Sequence, residues 1–227
     1  MEEELGITFT VSSEDGCLKI AASGENGHAS TPWKGKNALT GLLALIERLP
    51  LAECGQLKAV RALNHLMPHG DWFGAGLGIQ ISDEESGELT LAFSMLDISE
   101  KSLEGEFDSR CPICATKENT IDVIRKNMEA EGISFNTEEL EPPHHVPADS
   151  DFVKTLLSAY ESYSGRKGEC IAIGGGTYVH HLKNGVAFGA CLPETENHMH
   201  GPDEFAVVDE LLMSAKIFAQ VIVDLCS

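Results

Sequence analysis

The chain has 227 residues, 42% hydrophobic and 23% charged, with 16 basic against 36 acidic side chains and a formal net charge of −20. A field of that sign repels phosphate backbones and anionic headgroups, which excludes nucleic acid and membrane surfaces as expected partners. No apolar run is long enough to span a bilayer, MEEELGITF lacks the layout of a secretory signal, and seven scattered cysteines suit a reducing compartment, so a cytoplasmic location is expected.

In chain order, residues 7–11 and 18–21 are predicted strands joined through Ser13-Glu14-Asp15-Gly16, the chemistry of a hairpin turn. A loop carrying Gly24 and Gly27 leads into a helix from Ala38, where Leu39, Leu42, Leu43, Ile46 and Leu49 recur at helical spacing until Pro50. A second helix is expected over 53–66. Glycines punctuate 70–78, and strands follow over 88–98 and 102–111. A helix over 118–131, stopped by Gly132, and a strand over 133–140 complete the first part. The order ββ, αα, ββ, α, β predicts an α+β domain over residues 1–141, an antiparallel sheet with helices on one face. The prolines of Glu141-Pro142-Pro143-His144-His145-Val146-Pro147 prevent helix and central strand alike and mark a boundary. Beyond it the pattern gives a helix over 150–163, a short buried strand over 170–173, a glycine run, a strand over 186–190 and a closing helix over 203–225. Residues 142–227 thus read as a partial α/β segment.

Four places carry side chains suited to chemistry. His28 stands among small residues between a strand and a helix, where a substrate can approach closely. Arg110 follows Phe107-Asp108-Ser109 at a strand end, and its planar fork suits a carboxylate such as a peptide C-terminus; a surface ion pair is the bland alternative. Ile173-Gly174-Gly175-Gly176-Thr177-Tyr178 can turn main-chain N–H groups toward an anion, or can be a tight turn without a ligand. His198-Met199-His200, before Asp203 and Glu204, offers imidazole of the metal-ligating kind, although a catalytic zinc takes about three protein ligands. His69-Gly70-Asp71, Glu84-Glu85 and Glu138-Glu139 resemble metal motifs by their letters alone. Cys111-Pro112-Ile113-Cys114 has no second pair to complete a zinc knuckle and reads as two small buried residues at a strand end.

Order and spacing say more than any one of these. From Gly24, the run through GHASTPWKGKNA resembles the G-x-x-x-H-(A/G)-S-x-P-x-x-G-x-N-A segment of the peptidase M20 family. HGDWFGAGLGI with a strand ending in Arg110, then GGGTY, Gly185-Val186-Ala187-Phe188-Gly189 and H-x-x-x-E from His200 follow in the family's order. The likeness, to dipeptidases of the PepV type, runs from about Ile7 to Leu225. It implies a catalytic domain holding two zinc ions, with an inserted lid that closes over a dipeptide; a metal-bridging water attacks the peptide carbonyl and a glutamate is the base. By position, His28 resembles the lid histidine that polarises the carbonyl and steadies the oxyanion. Arg110 resembles the arginine gripping the terminal carboxylate, and Gly175, Gly176 and Thr177 resemble the backbone cradle for that same end. His200 matches the metal-ligand histidine of the C-terminal part, with His198 a weaker substitute. The family's other ligands precede the lid, so the expectation is a fragment: lid over 1–141, end of the catalytic domain over 142–227, inactive alone. Where the family often continues GGGTY with Ala-Arg, this chain has Val179-His180. The alternative is a non-catalytic, lid-derived binding or dimerisation module. The oligomeric state is left open.

Overall fold

The computed structural model describes residues 1–189, 191–199 and 201–227. The chain divides into two compact units, Met1–Pro143 with Ala172–Gly175, and His144–Ile171 with Gly176–Ser227. No helix among the described residues is long and apolar enough to cross a membrane.

The first unit opens with a short helix α1 (Glu2–Leu5) and the antiparallel pair β1 (Thr8–Glu14) and β2 (Cys17–Ser23). Asp15 and Gly16 join them, both at positive φ (51° and 79°), which matches the twist of a two-residue hairpin. Helix α2 (Ala38–Arg48) is capped by Asn37, whose Oδ1 accepts the N–H groups of Leu39 at 3.0 Å and Thr40 at 3.1 Å. Helix α3 (Gly55–Leu66) follows, and then the small ladder of β3 (Ser82–Asp83) with β4 (Gly87–Glu88). The long pair β5 (Thr90–Ile98) and β6 (Leu103–Arg110) runs antiparallel with an irregularity at Phe93/Met95. Helix α4 (Ile121–Ala130) comes last. Leu43 of α2, Leu63 of α3, Leu91 and Phe93 of β5 and Ile124 and Met128 of α4 meet in one buried cluster. Deleting a side chain such as that of Leu63, 2% exposed, costs about 2–5 kcal/mol.

The second unit rests on α5 (Asp151–Ser164) packed against α6 (Val208–Cys226). Leu156 and Ala159 meet Ile217 and Val221 in its core, and Phe188 packs edge-on against Phe218 with centroids 5.3 Å apart. Much of α6 stays in solvent: Leu211, Leu212, Ile222 and Val223 are 46%, 57%, 62% and 56% exposed.

Mixed α and β structure is as expected, but the strands of the described residues form three separate two-stranded ladders rather than one antiparallel sheet. β1 and β2 have no residue fully buried, with Val11 and Leu18 in solvent, so neither face of that hairpin demands a further strand. Residues 133–140 form no strand and no ladder. Ile133 and Phe135 pack on the core, Phe135 stacks on Phe107 at 5.8 Å, and Arg125 donates to the Thr137 carbonyl at 2.7 Å, a side-chain bond where a strand would have main-chain ones. Residues 170–173 form no strand and are not buried, Ile171 being 80% exposed. Residues 186–189 lie against the second core, also without a ladder, and residue 190 lies outside the described residues. The last helix starts at Val208, not at 203, because Asp203 takes a positive φ of 58° after Pro202 and breaks any helical approach.

Candidate active site

The loop between β2 and α2 is closed at its base by backbone pairing. Glu25 and Lys36 exchange N–H···O bonds of 3.1 and 2.8 Å, and their side chains form an ion pair. Gly24 needs its missing side chain here: a Cβ would come within 2.0 Å of the Lys36 carbonyl oxygen. One step further in, a Cβ on Gly35 would meet the Gly27 nitrogen at 2.8 Å. The loop tip is therefore drawn tight around His28. Trp33 packs on Phe73 at 5.9 Å, and the Thr31 N–H returns to the His28 carbonyl at 2.9 Å.

His28 is exposed, and its Nδ1 lies 2.7 Å from Ser30 Oγ and accepts the Ser30 main-chain N–H at 3.2 Å. The next residue ties the loop to the long hairpin: Thr90 Oγ1 donates to the Ala29 carbonyl at 2.8 Å. Thr90 stands opposite Arg110 in the β5–β6 register. Gly174 belongs to the same unit, and a Cβ there would press within 2.5 Å of Ser30 Cβ and 3.5 Å of Arg110 Cβ. His28, Arg110 and the start of the glycine run thus share one end of β5–β6. Arg110 is part-buried and pairs with Asp108, Nη2 donating to Oδ2 at 2.8 Å and Nε lying 2.7 Å from Oδ1. The hydrogen bond to Asp108 is made by Nη2 alone, since the buried Nε lies close to Oδ1 without bonding geometry, and the guanidinium keeps further N–H groups to meet a second carboxylate.

Gly175 lies in the first unit, whereas Gly176 and Thr177 belong to the second. There the Thr177 N–H is 3.2 Å from His180 Nδ1 at the start of a short 3-10 turn, Tyr178–His181. The His180 ring lies 5.5 Å from that of His144, whose Nε2–H donates to the Gly185 carbonyl at 2.6 Å. His200 lies outside the described residues. His198 adopts a positive φ of 56° and packs edge-on against Phe205.

Against this geometry stands the comparison with known proteins. The family model described as Peptidase family M20/M25/M40 matches residues 7–224.

This chain belongs to the M20 peptidase family.

Over 213 residues, 93% of the M20 chain, it is 36% identical to YtjP of Bacillus subtilis (strain 168), a protein with a provisional dipeptidase name. Over 226 residues it is 32% identical to the Beta-Ala-Xaa dipeptidase of Lactobacillus delbrueckii subsp. lactis. These stretches make up 45% and 47% of the two relatives, so the chain spans about half the length of the relatives it matches.

Among the described residues of this M20 chain, no group of three or more His, Cys, Asp and Glu side chains could hold a metal ion. The donor set for zinc is therefore not assembled there. The motif-like pairs are engaged in structural bonds. His69 places Nδ1 2.8 Å from Thr40 Oγ1 and donates Nε2–H to the Leu5 carbonyl at 2.8 Å. Asp71 accepts the N–H groups of Phe73, Ala75 and Gly76 at 3.2, 3.0 and 2.9 Å. Glu138 pairs with Arg125 at 3.3 Å. The two cysteines are not both buried as expected: Cys111 is half-buried and Cys114 exposed, in the turn after β6. Burial pushes the Cys111 thiol up, and partial desolvation with the Asp83 carboxylate does the same at Cys114, so neither is a ready thiolate. Sequence reasoning passed over Thr90 and Asp108. A threonine beginning a strand and an aspartate two residues before an arginine are commonplace; the hairpin register puts Thr90 opposite Arg110, and strand alternation puts Asp108 on the same side as Arg110.

Proposed function

We propose that this chain provides the peptide-gripping part of an M20 dipeptidase, with residues 1–141 the lid and 142–227 the end of the catalytic domain. His28 polarises the scissile carbonyl and steadies the oxyanion, and Arg110 receives the dipeptide's terminal carboxylate on its remaining N–H groups. Gly175, of the same unit as Arg110, offers its main-chain N–H to that carboxylate; Gly176 and Thr177 belong to the other unit, where the Thr177 N–H meets His180 Nδ1. The observation that carries the reading is the convergence of the His28 loop, Arg110 and Gly174 at one end of β5–β6, held by the Thr90–Ala29 bond. Two dipeptidase-named relatives support the substrate class. The family implies two zinc ions, and His200 is the one ligand assigned to this chain. The described residues do not make up a zinc site, so the chemistry assigned here is confined to binding and polarising the peptide.

The test is dipeptide hydrolysis by the zinc-loaded chain, alone and mixed with the segment of a relative that the chain does not match. Expected are negligible turnover alone and restored turnover in the mixture. In the mixture His28→Ala lowers kcat by about 100-fold or more, the scale of losing an oxyanion donor, and Arg110→Ala acts chiefly on KM. Robust turnover by the chain alone overturns its incompleteness. An active mixture indifferent to both substitutions overturns the residue roles.

A further inference from the structure

We infer that Ser30 is a positioning residue that fixes the tautomer of His28, so that the ring offers Nε2–H as a donor; this rests on the proposed role of His28 at the carbonyl. The main-chain N–H of Ser30 can only donate, and it faces His28 Nδ1 at 3.2 Å. That nitrogen must then present its lone pair, and a neutral imidazole with an accepting Nδ1 carries its proton on Nε2. With Nδ1 so set as an acceptor, the Ser30 hydroxyl 2.7 Å from it is the donor of that contact and shares the lone pair. A carbonyl oxygen gathering negative charge needs a donor, whereas the opposite tautomer would turn a lone pair toward it.

Ser30 is itself held by elements other than the ring. The preceding carbonyl, of Ala29, is fixed by Thr90 at 2.8 Å, and the following N–H, of Thr31, is bonded to the His28 carbonyl at 2.9 Å. Gly174 lies over Ser30 with no room for a side chain, since a Cβ there would approach Ser30 Cβ to 2.5 Å. The glycine run thus has a second use besides any main-chain donors: its first member lets the chain pass over the residue that sets the imidazole.

The test is the tautomeric state of His28 in the chain labelled with nitrogen-15 histidine, read from long-range proton–nitrogen correlations above the ordinary imidazole titration range. His28→Gln assigns the signals. Expected is a dominant Nε2–H pattern. Ser30→Ala moves the tautomer ratio about five-fold toward Nδ1–H, the worth of one net hydrogen bond, and Ser30→Thr, which keeps the hydroxyl, restores it. Gly174→Ala, which displaces Ser30, shifts the ratio in the same direction as Ser30→Ala. A dominant Nδ1–H pattern in the parent chain, or an unchanged ratio in Ser30→Ala, overturns the proposal. The reading is taken without peptide, so it fails or stands separately from the hydrolysis assay.

Discussion

Asp83 gathers the N–H groups of Glu85, Ser86 and Cys114 and the Ser86 hydroxyl onto one carboxylate, at distances of 2.6–3.0 Å. Those bonds, the Ser86 N–H first among them, hold its carboxyl well below the usual carboxylate range. A depressed folded-state value means the charged form is favoured by folding. The stabilisation is whole above the unfolded value of about 3.9 and drains away as pH falls below it. Asp83→Asn should therefore lower Tm by a constant amount from neutral pH down to about pH 5, with the gap narrowing under more acid conditions. Melting curves across that range decide it; a gap independent of pH would mean that shape, not charge, holds the turn to Cys114. Little of this was legible in the sequence. Asp83 precedes Glu84-Glu85 in a stretch readable as a turn, but its bond to Cys114 crosses 31 positions. His28 and Arg110 drew attention through residue type and spacing, while Thr90, which ties their loops together, has a role only through its place in the register.

Asn37 shows how an element's end fixes a loop. Its Oδ1 caps α2, and its Nδ2 donates to the Phe93 carbonyl at 2.7 Å, near the irregularity of β5. Asn37→Ala loses both, a cost of about 2 kcal/mol as the sum of a cap and a net hydrogen bond, and Asn37→Ser, which keeps the cap, about half of that. Urea unfolding at matched m-values measures both; equal losses would show that the bond to Phe93, not the cap, carries the effect. The helices were legible because their apolar spacing is long and regular and because Pro50 and Gly132 punctuate them, while the caps at Asn37 and Gly165 emerge only in the structure. The two long hairpins were legible from their turn residues, whereas the two-residue ladder of β3 and β4 is too short to leave a pattern. The segments over 133–140, 170–173 and 186–189 were misread because apolar content tells which side chains seek contact, not whether a neighbouring strand exists to pair with. The closing helix was started early, since nothing in Asp203-Glu204 announces a positive φ.

On the scale of the whole molecule, the two units are unequal in what they bury. The first has a wide cluster drawn from α2, α3, α4 and β5, whereas the second relies on a small contact between α5 and α6. Amide exchange should accordingly be slowest in α3 and β5 and faster throughout α5 and α6, with Leu63→Ala accelerating exchange in the first unit. Mass-resolved exchange time courses test this, and protection in α6 equal to that in α3 would contradict it. The open side of α6 has a further consequence when set beside the net charge of −20. Molecules this acidic keep one another apart in dilute salt, where the repulsion reaches about 30 Å at 0.01 M. At about 1 M salt that reach shrinks to about 3 Å, and leucine, isoleucine and valine side chains on neighbouring molecules can touch. The colloid is thus held dispersed by its charge rather than by a fully polar skin, so adding salt brings it toward clustering.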